Sequence, residues 1–168
     1  MTLTKAQENT EAHGAWQAYA LTAAAVTATA VAGARAVDVD AAWYQELDKP
    51  SWQPPRWAFG AVWTPLYASI AWAGGRALCR ARGRTRLELA ASLGLNLALN
   101  VAWNWLFFGR RSPGAGVWGT ALLDLSNAEL IRRTARTDPS AARTLLPYAA
   151  WCAFATALNT SVARRNGS

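Results

Sequence analysis

The feature that most constrains the fold of this chain is a set of long stretches without charged residues. Four stretches contain no Asp, Glu, Lys or Arg: 14–34, 57–75, 89–109 and 144–163. A fifth, 113–131, is interrupted only by Asp124 and Glu129. Each is about 20 residues long, and a helix of that length covers a hydrocarbon core of about 30 Å. We therefore predict an all-α membrane protein, a bundle of five transmembrane helices, over the alternative of a soluble protein with an unusually apolar core.

The segment boundaries can be placed from proline positions and charges. We predict a single membrane domain over 14–164, with approximate spans 14–36, 56–79, 87–109, 113–133 and 141–164. A lid loop, 37–55, joins the first two spans, and polar tails occupy 1–13 and 165–168. Ser112-Pro113 has the chemistry of a helix N-terminus, a capping hydroxyl followed by proline in the first turn. Pro65 and Pro147 lie inside predicted spans, so each should kink its helix.

The charge distribution predicts the orientation in the membrane. The chain carries 17 Lys and Arg against 10 Asp and Glu, a net charge of +7. With the N-terminus inside, the predicted cytoplasmic segments hold ten of these cations and the opposite segments hold seven. The excess of cations on the cytoplasmic side favours an inside N-terminus and an outside C-terminus. The basic stretch 76–86 lacks interleaved aromatic residues, so we predict no nucleic-acid partner.

Few residues of this chain suit metal binding or hydrolytic catalysis. His13 is the only histidine and precedes the first predicted span, and Cys79 and Cys152 stand apart without a CxxC spacing. Zinc sites and catalytic triads need several such side chains together. We therefore predict no metal site, no required cofactor and no conventional catalytic site.

Three asparagines in the third span recur every four residues, at Asn96, Asn100 and Asn104. That spacing places them on one face of a helix. An amide in hydrocarbon is costly without a partner, so this face must contact other helices or a cavity. Interhelical hydrogen bonding is the simpler interpretation for Asn96 and Asn104, whereas Asn100 could serve both purposes.

Asp124 is the one acidic residue predicted near the middle of the membrane. An intramembrane carboxylate is a functional candidate by default. The alternatives are protonation at a helix interface or pairing with a nearby polar side chain such as Ser126 or Asn127.

The loop between the first two spans contains the run WYQELDKPSWQPPRW. Its aromatic residues Trp43, Tyr44 and Trp52 could plug a cavity from the outer side. An interfacial aromatic belt is the alternative, and it applies equally to Trp103 and Trp105 at the outer end of the third span.

Three blocks of this sequence resemble one known family: WYQELDKPSWQPPRWAFGAVWTPLY (43–67), LNLALNVAWNWLFFGRR (95–111) and LLPYAAWCAFATALN (145–159). They are similar to the signature blocks of the translocator protein or tryptophan-rich sensory protein family (TspO/MBR, the peripheral benzodiazepine receptor family), and we identify the chain as resembling its bacterial members. The resemblance implies a five-helix bundle in the bacterial cytoplasmic membrane, surrounded by lipid and usually assembled as a homodimer. It also implies a ligand pocket closed by the loop between the first two helices.

The resemblance further implies which residues meet a ligand. The ligand-binding set is Trp63, Tyr67, Asn100, Trp103, Phe108, Trp151, Ala155 and Leu158. The lid set is Trp43, Tyr44, Lys49, Pro50 and Trp52. Implied ligands are porphyrins such as protoporphyrin IX and other apolar molecules, in a regulatory or stress-sensing role. Transport of tetrapyrroles is one alternative, and light- and oxygen-dependent porphyrin degradation, with Trp63 and Trp151 as catalytic residues, is another.

The sequence departs from the family pattern in two places. The usual proline of the FGPVW motif is Ala61 here. The animal sterol-recognition stretch needs a tyrosine before its basic residue, but this chain has Thr160 and Ser161 instead. The resemblance therefore does not carry the sterol binding of the animal members over to this chain.

Overall fold

The computed structural model describes the backbone of residues 2–167 and the side chains of residues 14–167. Its α-helices are α1 (Thr2–Ala34), α2 (Ala42–Glu46), α3 (Arg56–Arg80), α4 (Gly83–Asn104), α5 (Pro113–Thr137), α6 (Pro139–Thr144) and α7 (Leu146–Arg165). A π-helical turn, Trp105–Gly109, continues α4. No strand occurs among residues 2–167. The all-α class is therefore confirmed.

The five long helices α1, α3, α4, α5 and α7 correspond in order to the five predicted spans. Judged on length and hydropathy together, none of the helices among the described residues would span a membrane. The count of five transmembrane helices stays a prediction. The side chains of the predicted tail 1–13, including His13, and Ser168 of the tail 165–168 lie outside the described residues.

Helix α5 begins where its sequence predicts. Pro113 occupies the first turn, and the Ser112 hydroxyl accepts a hydrogen bond from the backbone N–H of Ala115 at 3.2 Å. This bond satisfies one of the free N–H groups at the start of the helix.

The last predicted span is divided into two helices instead of being kinked at Pro147. Helix α6 ends at Thr144, and Pro147 lies in the first turn of α7. Proline fits a first turn because its missing N–H would have no partner there. The Asp138 carboxylate caps α6 by accepting from the backbone N–H groups of Ser140 and Ala141, at 2.9 and 3.1 Å.

The helices pack around a shared apolar core. Helix α1 lies mainly against α3, while α4 and α7 both lie against α5. The largest buried cluster includes Ile70, Leu93, Leu123, Leu145 and Tyr148, which come from α3, α4, α5, the α6–α7 junction and α7. With Val26 of α1, the cluster buries apolar surface from all five long helices, which makes them mutually dependent.

Close contact between α1 and α3 depends on Gly75. A Cβ atom added there would lie 2.3 Å from the Cδ1 atom of Tyr19. The Gly75→Ala variant should therefore lose about 1–3 kcal/mol of stability, because the Tyr19 ring must shift within a packed interface. Gly94→Ala is the matched control on α4, since nothing lies within 4 Å of its added Cβ. Equal thermal unfolding midpoints for the two variants in detergent would contradict this account of the interface.

Candidate functional site

A cavity of about 430 Å³ lies under the loop that joins α1 to α3. Its walls come from the end of α1, the loop, the first half of α3, the end of α4 with its π turn, and the end of α7. Seven aromatic side chains contribute to the lining: Tyr44, Phe59, Trp63, Tyr67, Trp103, Phe107 and Phe108. Volumes of about 300–1,000 Å³ with mostly apolar walls are typical of small-molecule sites.

Five of the eight predicted ligand-binding residues line this cavity. They are Trp63, Tyr67, Trp103, Phe108 and Leu158. The Trp63 indole stacks on the Tyr67 ring, with ring centroids 5.1 Å apart and planes 27° apart. Both rings come from one face of α3, four residues apart, which is the spacing that brings side chains together on a helix.

The other three predicted residues, Asn100, Trp151 and Ala155, are not part of the cavity wall, and their ligand-binding role stays a prediction. Asn100 is buried behind the wall, where its Oδ1 accepts from the Tyr67 hydroxyl at 3.1 Å. Trp151 packs edge-on against Phe59, which does line the cavity, at 6.0 Å between ring centroids. Asn100 and Trp151 therefore contact residues of the wall.

The asparagine stripe, formed by Asn96, Asn100 and Asn104 on one face of α4, is part of a buried hydrogen-bond network. The Asn96 Nδ2 group donates to Asn127 Oδ1 at 2.7 Å, and the Tyr148 hydroxyl donates to Asn96 Oδ1 at 3.0 Å. Asn100 Nδ2 donates to the Tyr148 oxygen at 3.3 Å. The interhelical interpretation thus holds for Asn96, whereas Asn104 lines the cavity and donates to the carbonyl of Asn100 within its own helix.

Asp124 pairs with Thr156, a partner that the sequence does not predict. Its Oδ2 accepts from the Thr156 hydroxyl of α7 at 2.6 Å. Ser126 and Asn127, the expected partners, both contact Asn96 instead. The Asp124–Thr156 bond joins α5 to α7.

Aromatic contacts hold the loop over the cavity. Tyr44 packs against Phe107 and Phe108, with ring centroids 6.4 and 5.4 Å away, and Trp43 contacts Phe107 at 5.6 Å. Trp52 contacts Phe154 of α7 at 5.8 Å. Of the five predicted lid residues, Tyr44 and Lys49 line the cavity, whereas Trp43, Pro50 and Trp52 do not.

Polar contacts hold the same loop to the end of α7. The Asn166 amide clasps the backbone of Asp48: Oδ1 accepts from the Asp48 N–H, and Nδ2 donates to the Asp48 carbonyl, both at 3.0 Å. The Asp48 carboxylate also lies 3.5 Å from the Arg165 guanidinium. The lid is thus fixed by contacts of two kinds, apolar ones on the π turn and α7 and polar ones at the end of α7.

Two cations stand at the mouth of the cavity. Lys49 and Arg56 both line it. The Lys49 ammonium lies 4.5 Å from the centre of the Tyr44 ring, within cation–π range. Arg56 pairs with Asp40 at 2.8 Å, and both side chains are exposed. An acidic group of a ligand could meet either cation there.

Phe59, Phe107 and Asn159 are among the wall residues that the sequence does not predict. Phe107 and Phe108 are neighbours in sequence, and a regular helix would point them 100° apart. The π turn changes this geometry: the Arg110 N–H donates to the carbonyl of Trp105, five residues earlier, at 2.9 Å. Asn159 belongs to the ATALN run of the third block that resembles the family, so the sequence contains a signal for it.

Comparison with known proteins places the chain in a family. The sequence profile of the TspO/MBR family matches residues 18–165. The human translocator protein is 39% identical over 127 residues, 74% of this chain and 75% of its own. The tryptophan-rich protein TspO of Chlorobaculum tepidum is 33% identical over 141 residues, covering 83% and 89%. The tryptophan-rich sensory protein of Cereibacter sphaeroides is 33% identical over 125 residues, covering 74% and 77%. This chain therefore belongs to the TspO/MBR family.

Proposed function

We propose that this chain is an integral membrane protein that binds porphyrins and other flat, apolar ligands in the cavity under its lid. The observation that carries the proposal is the cavity itself, about 430 Å³ with an aromatic lining and two cations at its mouth. A porphyrin such as protoporphyrin IX is a flat apolar disc with two carboxylates. The chemistry of the disc matches the wall, and that of the carboxylates matches Lys49 and Arg56.

We assign most of the binding affinity to stacking of the flat ligand on one aromatic face of α3. Trp63 and Tyr67 already stack on each other, and Phe59 lies one turn before Trp63 on the same helix. Aromatic pairs in offset or edge-on geometry contribute about 0.5–1.5 kcal/mol beyond their buried area. A disc that contacts this face would gain several such contacts.

A cluster of arginines at one end of the bundle supports an orientation in the membrane. One end of the bundle is formed by the end of α3, the start of α4, the end of α5, and α6. The residues of this end, at positions 76–88 and 129–143, include nine arginines and three acidic residues. The start of α1 lies at this end, because the Cys79 thiol donates to the carbonyl of Ala15 at 3.4 Å. By the positive-inside rule, we propose that this end faces the cytoplasm of a bacterial cell, which leaves the lid outside.

We further propose a regulatory, ligand-sensing role. The name of the Cereibacter sphaeroides relative, a tryptophan-rich sensory protein, supports this role. The lid supports it as well, because a ligand that displaces it would break the Asn166 clasp at Asp48 and the Tyr44 contacts with Phe107 and Phe108. Such a disturbance gives ligand binding a structural consequence at the outer end of α7.

Quenching of tryptophan fluorescence by protoporphyrin IX tests the proposal. We expect saturable quenching in the wild type and a dissociation constant about tenfold higher in Trp63→Leu, since that variant loses the stacking ring. Trp118→Leu is the matched control, because Trp118 is 74% exposed on α5 and outside the cavity wall. Quenching that does not saturate would contradict porphyrin binding. Equal affinities in the two variants would contradict the assigned site.

A further inference from the structure

Helices α1 and α3 are in close contact in the half of the bundle nearest the arginine-rich end. A Cβ added at Gly75 would lie 2.3 Å from the Tyr19 Cδ1 atom. One added at Gly74 would lie 3.3 Å from the Thr22 Cγ2 atom. The Thr22 hydroxyl also donates to the carbonyl of Ala71 on α3, at 3.1 Å. These contacts leave no passage between the two helices at this depth.

Near the lid, the same two helices have different neighbours. On α1, a Cβ added at Gly33 would lie 2.9 Å from the Asn104 Nδ2 atom, so this end of α1 lies against α4. On α3, a Cβ added at Gly60 would have no other part of the described chain within 4 Å, although Gly60 lines the cavity. Helix α3 therefore faces open space at Gly60, where α1 could have covered it.

The cavity opens into this space. Most residues of its wall are buried or half-buried, including all those from the lid, α4, the π turn and α7. The exposed wall residues come from the end of α1, the residues just after it and the start of α3: Ala34, Val37, Arg56 and Gly60. These four residues define a side opening between α1 and α3, beside the lid.

The rim of the side opening is charged at its outer edge and apolar below it. Arg56 pairs with Asp40 at 2.8 Å at the outer edge. Gly60 lies four residues further along α3, about 6 Å deeper at 1.5 Å per residue. The exposed surface there is uncharged, since Trp57 is 75% exposed and the stretch 14–34 of α1 has no charged residue. Such a rim suits the outer leaflet of a bilayer, with the ion pair among the lipid headgroups.

We propose that ligands reach the cavity through the side opening, from the outer leaflet of the membrane, and that Gly60 keeps this passage open. The ligands are therefore molecules that dissolve in the bilayer before they bind. The inference rests on the proposed ligand-binding function and adds the route of entry to it. The lid contacts then respond to a ligand that is already inside the cavity, because the ligand does not pass through the lid.

Exchange rates of protoporphyrin IX in lipid nanodiscs test the route, with tryptophan fluorescence as the readout. Excess protein-free nanodiscs capture the porphyrin that the protein releases. In Gly60→Leu, the added side chain projects into the side opening. We expect the association and dissociation rate constants of this variant both to fall about tenfold, because both steps use the same passage, while the dissociation constant changes less than about threefold.

Gly94→Leu is the matched control. It places the same side chain on α4, where an added Cβ also has nothing within 4 Å, and Gly94 lies outside the cavity wall. Its rate constants should equal those of the wild type. Trp63→Leu, which loses the stacking ring, gives the release rate of a weakened site. Gly60→Ala should slow both steps about twofold, and it decides the result if Gly60→Leu does not fold.

Equal rate constants in Gly60→Leu and Gly94→Leu would overturn the inference and leave the ligand-binding function intact. Faster release from Gly60→Leu, as in Trp63→Leu, would also overturn it, because the added side chain would then crowd the site instead of closing the passage. If quenching by protoporphyrin IX does not saturate in the wild type, the ligand-binding function fails together with the inference.

Discussion

Replacing Asp138 by Ala is expected to lower the free energy of unfolding by about 3 kcal/mol. The Asp138 side chain is only 5% exposed. It accepts from the Arg76 Nε group at 2.7 Å, contacts the Arg80 guanidinium, and caps α6 through the N–H groups of Ser140 and Ala141. Loss of a cap costs about 1 kcal/mol, and loss of a hydrogen bond to a charged group costs about 1.5–3 kcal/mol.

Asp40→Ala is the matched control for this variant. Asp40 also pairs with an arginine, Arg56, but its side chain is 79% exposed. Exposed ion pairs contribute at most about 1 kcal/mol. Equilibrium unfolding in mixed micelles measures both variants. Equal losses of stability would show that burial of Asp138 between α3 and α6 contributes nothing.

Tyr148→Phe is expected to lower the free energy of unfolding by about 3 kcal/mol as well. Its hydroxyl donates to Asn96 and accepts from Asn100, and Tyr148 is 1% exposed. The phenylalanine variant keeps the ring but leaves two buried amide atoms unpaired. Each such atom costs about 1–3 kcal/mol.

Tyr44→Phe provides the comparison for Tyr148→Phe, because the Tyr44 hydroxyl makes one bond, from Gln53 at 3.3 Å, in the partly exposed loop. Its removal should cost no more than about 1 kcal/mol. The same unfolding titration measures both losses. If the Tyr148 variant were as stable as the Tyr44 variant, the buried network would not determine how α4 and α7 pack.

The sequence predicts the helices well because their signals are local. Charge-free stretches set the positions of the long helices, and the Ser112-Pro113 pair sets the start of α5. The stripe through Asn96 predicts an interhelical contact since an amide in an apolar setting needs a partner. These arguments need only the spacing of residues along one helix.

The site is harder to predict, because its lining depends on how each helix is rotated against its neighbours. Asn100 and Ala155 belong to the same blocks as Trp103 and Leu158, but only the second pair lines the cavity. The partner of Asp124 is Thr156, 32 residues away on α7, and no local spacing identifies it. Similarly, the short helix α6 between the Asp138 cap and the break before Pro147 was not predicted as a separate element.

The wide turn Trp105–Gly109 affects how this chain should be aligned with its relatives. Adding one residue to a turn advances every later position by about 100° around the helix axis. An ungapped alignment with a relative that lacks this turn would therefore equate side chains whose directions differ by up to about 100° at the end of the turn, near Gly109. Deleting one residue from 105–109 would remove this rotational offset. The link to α5 would then leave the helix in another direction, and the Phe107 ring would move away from Tyr44.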